Sequence, residues 1–142
     1  MNNTGSAKGK HSQKWILIGE DDMDDKEILE ETFSEIDPSV QIRFVSSGRE
    51  IISFLEKVKA DEKPSLIVLD YNMPGLNGAE ILKKIQPIQS IENIPKLIWS
   101  TSGASYYKNK CLESGATGYL VKPSSIGELE QMVKYMLSFC IH

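Results

Sequence analysis

From Trp15 onward the chain alternates between two textures. Short runs in which most residues are apolar are followed by longer segments whose apolar residues recur every three or four positions, the periods that separate buried strands from amphipathic helices. Strands are predicted over Trp15–Ile18, Gln41–Val45, Leu66–Leu69, Lys96–Trp99 and Gly118–Val121. The first and third are almost wholly apolar, as strands covered on both faces of a parallel sheet must be. Helices are predicted over Asp24–Ile36, Arg49–Lys59, Ala79–Gln86, Ser105–Glu113 and Ile126–Phe139. In the first, Ile28, Leu29, Phe33 and Ile36 share a side, and in the second Ile51, Ile52, Leu55 and Val58 do, so each presents an apolar stripe to a sheet.

Turn residues fall between these segments. Asp37-Pro38 closes the first helix, Ser47-Gly48 precedes the second, and Pro64 and Pro95 precede the third and fourth strands. Strict alternation of strand and helix implies right-handed crossovers, and hence an α/β, doubly wound, five-stranded parallel sheet with helices on both faces. In such folds the functional crevice lies beyond the C-terminal ends of the strands.

A length of 142 residues fits one domain and leaves no room for a second output module. A net charge of -4 provides no electrostatic drive toward nucleic acid, so direct DNA binding is not expected. Apolar runs such as Leu66-Ile67-Val68-Leu69 are far shorter than the ~20 residues that cross a bilayer. Residues 1–13 read as a flexible N-terminal tail and 14–142 as the folded domain; Lys8, Lys10 and Lys14 occur without the apolar stretch of a secretory signal. Cys111 and Cys140 each lie in a helical pattern and read as small buried hydrophobes rather than a disulfide or metal pair, which suits a reducing cytoplasm.

Four of the five strands run into polar chemistry. Glu20-Asp21-Asp22 follows the first, Asp70 the third, Ser100-Thr101 the fourth and Lys122-Pro123 the fifth. Taken singly, each could be a helix cap or a turn. Together they converge on one rim, where crowded carboxylates repel one another unless a cation enters, and all-oxygen donors select a hard ion such as Mg²⁺. A carboxylate, a magnesium site, a hydroxyl and a lysine make up the apparatus for receiving a phosphoryl group, with one carboxylate as nucleophile.

These residues resemble the response-regulator receiver family. The resemblance rests on Ile16-Leu17-Ile18-Gly19-Glu20-Asp21-Asp22, Leu66-Ile67-Val68-Leu69-Asp70-Tyr71-Asn72-Met73-Pro74, Gly78, Ser100 and Lys122-Pro123, in that order along nearly the whole chain. It implies the CheY-like, flavodoxin-like strand order 2-1-3-4-5. It further implies Asp70 as phospho-acceptor, and Glu20, Asp21, Asp70 and the Asn72 backbone carbonyl as holders of Mg²⁺, with Mn²⁺ able to substitute. Lys122 would pair with the acid and then with a phosphoryl oxygen, and the Lys122–Pro123 bond would be cis. Ser100 would be the switch hydroxyl, and Tyr119 the aromatic residue whose rotamer answers it. Asp22 reads as a cap of the first helix.

The function so implied is that of a single-domain two-component response regulator. It takes its phosphoryl group from a sensor histidine kinase or a histidine phosphotransfer protein, and its only chemistry is self-phosphorylation and slow autodephosphorylation. Its downstream protein target would meet the face made by helix 4, strand 5 and helix 5. The alternative is a phosphorylation-independent receiver-like adaptor with a fixed interface, against which Glu20, Asp21, Asp70, Ser100 and Lys122 all argue. The run Glu20-Asp21-Asp22-Met23-Asp24-Asp25 is also similar to regulators that partner bacterial phytochrome-type kinases.

Three departures from the family pattern stand out: Gly19 replaces an apolar residue, Asn77 an aspartate, and Trp99 is bulky beside the switch, the first and last read as local repacking. His11 and His142 lack partners at metal-ligand spacing. Of Tyr106 and Tyr107, one is expected to pack and the other to be exposed. The acidic run Asp24, Asp25, Glu27, Glu30 and Glu31 reads as a solvated face, with selection of a basic partner as the alternative. Met132, Met136 and Phe139 fit either a homodimer face or core packing.

Overall fold

The structure, a computed structural model, describes residues 14–140; the tail expected over 1–13, His11 and His142 lie outside the described residues. Strands β1 (Trp15–Gly19), β2 (Gln41–Val45), β3 (Leu66–Asp70), β4 (Lys96–Ser100) and β5 (Gly118–Val121) form one sheet in the order β2-β1-β3-β4-β5. Every neighbouring pair is parallel. Helices α1 (Met23–Ile36), α2 (Gly48–Lys57), α3 (Gly78–Ile85) and α4 (Ser105–Glu113) make the four crossovers, and α5 (Ile126–Ser138) follows the last strand. This is the expected doubly wound α/β fold with CheY-like strand order.

Strand alternation divides the apolar side chains between two layers. Leu17, Ile67, Leu69 and Ile98 face Ile51, Leu55, Ile81, Leu82, Ile85 and Cys111 of α2, α3 and α4. Ile16, Ile18, Val68, Leu97 and Trp99 face Leu29 and Phe33 of α1 and Leu129, Val133 and Met136 of α5. Met136 is fully buried there, with Met132 and Phe139 packed against the same cluster, so that stripe serves the chain's own core. Both cysteines are buried and free, and burial raises the Cys111 thiol to about 11, leaving it protonated and unreactive at neutral pH.

Four of the five helices start at a side-chain cap, α4 being the exception with Ala104 at its cap position. Asp22, Ser47, Asn77 and Ser125 each accept the backbone N–H three residues on, satisfying one of the amides a first turn leaves free. At α3 the arrangement is reciprocal: Asn77 Oδ1 accepts from the Glu80 amide and Glu80 Oε1 from the Asn77 amide, both at 2.9 Å. Asparagine thus serves fully where the family pattern has aspartate. The second helix ends at Lys57 rather than Lys59, because Val58 turns extended (φ -68°, ψ 137°) while still packing on the core. That exit leads into a short 3-10 turn, Ala60–Glu62, whose Glu62 carbonyl accepts the Trp15 indole N–H at 3.2 Å.

Two glycines allow close approach beside the strand ends. A Cβ on Gly19 would fall 2.4 Å from Ile51 Cδ1, so α2 lies directly against the end of β1. On Gly78 it would lie 3.0 Å from Ile98 Cδ1 and 3.2 Å from the Tyr71 Cα, which brings the start of α3 onto the segment after β3.

The Asn77 cap yields a stability prediction. Asn77→Ala should lose about 1 kcal/mol in urea denaturation, whereas Asn77→Asp should stay close to the parent. A loss of only a few tenths for the alanine variant would mean that the box does not anchor α3.

Candidate functional site

Because all five strands are parallel, the residues leaving β1, β3, β4 and β5 emerge along the same edge of the sheet. Asp70 is the last residue of β3 and is 4% exposed. Its Oδ1 accepts the Asn72 backbone N–H at 2.9 Å, and its Oδ2 accepts from the Lys122 ammonium at 2.7 Å. Glu20, just beyond β1, is fully buried. Its Oε2 accepts the Asp22 amide at 3.1 Å, and its Oε1 accepts the Trp99 indole N–H at 3.0 Å and the Lys122 ammonium at 3.4 Å. Asp21 beside it is exposed.

Glu20, Asp21 and Asp70 each offer a carboxylate oxygen, and these atoms lie within 4.8 Å of one another. Three carboxyl oxygens, with no sulfur or nitrogen donor among them, fit a hard divalent cation.

Lys122 opposes this charge. Besides Asp70 and Glu20 its Nζ donates to Asp25 at 2.8 Å, and it stands 4.7 Å from the centroid of the Trp99 ring, over its face. Burial alone would lower its ammonium, but the hydrogen bonds to Asp25 and Asp70 and the charges of Asp70 and Glu20 outweigh this and hold it above the ordinary lysine value. The expected cis Lys122–Pro123 bond is not found: the described residues contain no cis peptide. Trans is the intrinsically favoured isomer, and from it Lys122 already donates its amide to Ser100 O at 2.7 Å while its ammonium reaches Asp70.

Ser100 ends β4 and is 1% exposed. Its Oγ accepts the Ser102 amide at 3.1 Å, and the Tyr119 hydroxyl donates to the Ser102 carbonyl at 2.6 Å. Both residues expected to form the switch are therefore tied to the same peptide segment. Tyr107 lies edge-on against Tyr71 at 5.2 Å yet is still 36% exposed, and Tyr106, edge-on against Tyr107, is 65% exposed, so both tyrosines reach the surface.

A family model for the response regulator receiver domain matches residues 16–134. The chain belongs to this receiver-domain family. The two-component response regulator ARR3 of Arabidopsis thaliana is 30% identical over 131 residues, 87% of this chain and 56% of the relative. ORR5 of Oryza sativa subsp. japonica is 32% identical over 117 residues, 81% and 85% of the two chains. Against ARR3, ARR8, ARR9 and ORR4 this chain spans 56% to 60% of their length.

Solved structures agree with the fold. The response regulator RPA3017 in red light signaling of R. palustris superimposes with a TM-score of 0.79 at 26% identity, covering 89% of this chain and 92% of that one. The Mn²⁺-bound form of response regulator Rcp1 gives 0.76 at 27%, covering 89% and 93%. The phosphorylated cyanobacterial phytochrome response regulator RcpA gives 0.79 at 25%, with the same coverage.

Within this receiver domain, the residues singled out from sequence divide into two groups. Glu20, Asp21, Asp70 and Lys122 stand in one cluster, with Asn72 joined to it through its amide. Ser100 and Tyr119 meet through Ser102 at its edge. Asp22 is the α1 cap, accepting the Asp25 amide at 2.9 Å. Two further residues take part. Asp25 belongs to the site rather than to a solvated face, since the first turn of α1 brings it onto Lys122. Trp99 contributes more than bulk, because a buried indole needs an acceptor and here finds Glu20. Among the described residues no helix is long and apolar enough to cross a membrane.

Charge crowding has a measurable consequence. Burial, then the hydrogen bond and charge of Asp70, raise the Glu20 carboxyl to about 7, against the lowering effects of the Asp22 amide and Lys122. The folded state therefore holds a proton that the unfolded chain releases near pH 4.5, so this group makes stability fall as pH rises from about 4.5 to 7. Subtracting the urea-derived stability curve of Glu20→Gln from that of the parent should leave a negative slope across this window. A flat or rising difference would contradict the crowding.

Proposed function

We propose that this receiver domain accepts a phosphoryl group on Asp70 from the phosphohistidine of a sensor kinase or histidine phosphotransfer protein, and signals through changed protein contacts. The observation that carries this is the setting of the Asp70 carboxylate: one oxygen fixed by the Asn72 amide, the other by Lys122, with oxygens of Glu20 and Asp21 close by. A nucleophile so placed needs alignment and charge neutralisation more than activation. Attack by an Asp70 carboxylate oxygen on phosphorus breaks the P–N bond, and the imidazole departs with a proton. Lys122 then exchanges its bond to the carboxylate for one to a phosphoryl oxygen. Hydrolysis by attack of water on phosphorus restores the aspartate.

Glu20, Asp21, Asp70 and the Asn72 carbonyl would hold Mg²⁺, or Mn²⁺ in its place. When bound, the ion neutralises the carboxylates and the incoming phosphoryl oxygens. The Mn²⁺-bound Rcp1 and phosphorylated RcpA neighbours support this chemistry in the same fold.

A phosphoryl group on Asp70 offers strong acceptor oxygens near the end of β4. Ser100 Oγ can leave the Ser102 amide and donate to it, which frees the segment that Tyr119 holds through the Ser102 carbonyl. The surface that would read this movement is the α4, β5 and α5 face, where Tyr106, Val121 and Tyr135 are exposed. Two buried thiols, Cys111 and Cys140, suit a reducing, cytoplasmic setting.

Incubation with acetyl phosphate and Mg²⁺ should add one phosphoryl group, seen by intact mass and removed by hydroxylamine. Asp70→Asn should abolish it; label retained at the parent's stoichiometry would place the acceptor elsewhere. Ser100→Ala should still be phosphorylated, but resonances of α4 and Tyr119 should respond less to beryllofluoride than in the parent. Equal responses would mean that the hydroxyl does not couple site to surface.

A further inference from the structure

Trp99 is 2% exposed and lies in the layer beneath α1 and α5, so by position it could be a plain core residue. Its polar and aromatic contacts are unlike those of a core residue. The indole N–H has Glu20 Oε1 as its acceptor at 3.0 Å, in a buried bond between residues 79 apart in sequence. The face of the same ring lies 4.7 Å beneath the Lys122 ammonium. One side chain thus touches both an acid of the metal-binding cluster and the lysine that opposes it.

An aliphatic residue of similar size would fill the volume and make neither contact. Glu20 Oε1 would then keep only Lys122, now 3.4 Å away, and no ring would hold the ammonium over Asp70 and Asp25. Lys122 would shift toward Glu20, neutralising an acid the cation needs and loosening its own grip on Asp70.

We propose that Trp99 is a positioning residue of the phosphoryl-accepting site: its N–H fixes Glu20 facing Asp21 and Asp70, and its ring face keeps Lys122 on Asp70. This inference rests on the phosphoryl-accepting role of Asp70. The mechanism predicts that ion binding at the acid cluster is felt at the indole nitrogen.

The chain has two tryptophans, and the other is a built-in control. Trp15 begins β1, at the opposite end of the sheet, with its indole N–H on Glu62 O. In ¹⁵N-labelled parent protein, assigned with Trp15→Phe, the Trp99 indole resonance should move on titration with Mg²⁺ while that of Trp15 stays in place. Trp99→Phe, which keeps a ring without the N–H, should weaken Mg²⁺ affinity by calorimetry and slow acyl phosphate formation from acetyl phosphate, each about 10-fold, with Trp99→Leu lower still.

An unmoved Trp99 resonance at saturating Mg²⁺, or a folded Trp99→Phe that matches the parent within about twofold against that 10-fold expectation, would overturn the inference and leave the role of Asp70 intact. If Trp99→Phe does not fold, the parent's indole resonance decides alone. A parent that binds no Mg²⁺ and takes no phosphoryl group would overturn both.

Discussion

The ammonium of Lys122 is shared by Asp70, Asp25 and Glu20 at 2.7, 2.8 and 3.4 Å, with Asp21 close behind them. One positive charge among four carboxylates, two of them buried, leaves an excess of negative charge, and such groups do not remain ionised together without cost. The site relieves the crowding in three ways. Lys122 is held firmly charged, Glu20 retains its proton toward neutral pH, and backbone N–H groups of Asp22 and Asn72 point at the acids. None of these disposes of the remaining charge, which leaves a cluster of oxygens suited to a divalent ion and then to a phosphoryl group.

The fold supplies this corner through parallel pairing. A parallel sheet places all strand C-termini on one edge, so residues 20, 70, 100 and 122, far apart in sequence, leave the sheet together. The capped start of α1 turns Asp25 back over the edge, and Gly19 and Gly78 let α2 and α3 approach it. Trp99 reaches up from the apolar layer, so the core and the acid cluster share a side chain.

Much of this was legible in the sequence. Apolar runs such as Leu66 to Leu69 read as buried strands, and the polar residues directly after them marked the rim, because strand period and parallel topology leave few other arrangements. Nothing in the local sequence marks Asp25 or Trp99 as a site residue. A helical acid is normally solvated and a strand tryptophan normally core, and only three-dimensional packing puts the first against Lys122 and the second against Glu20. Nor does local sequence determine which isomer the surrounding contacts select at Lys122–Pro123, which is trans where the resemblance implies cis.

If Lys122 and a divalent ion compete for the same carboxylates, removing the ammonium must strengthen ion binding while impairing phosphoryl capture. The most direct test is calorimetric titration of Lys122→Met with Mg²⁺ beside the parent. The charge balance of the site predicts several-fold tighter binding in the variant, together with a reduced yield of acyl phosphate from acetyl phosphate. Unchanged or weaker Mg²⁺ binding in the folded variant would contradict the account, because it would show that the ion and Lys122 do not draw on the same charge.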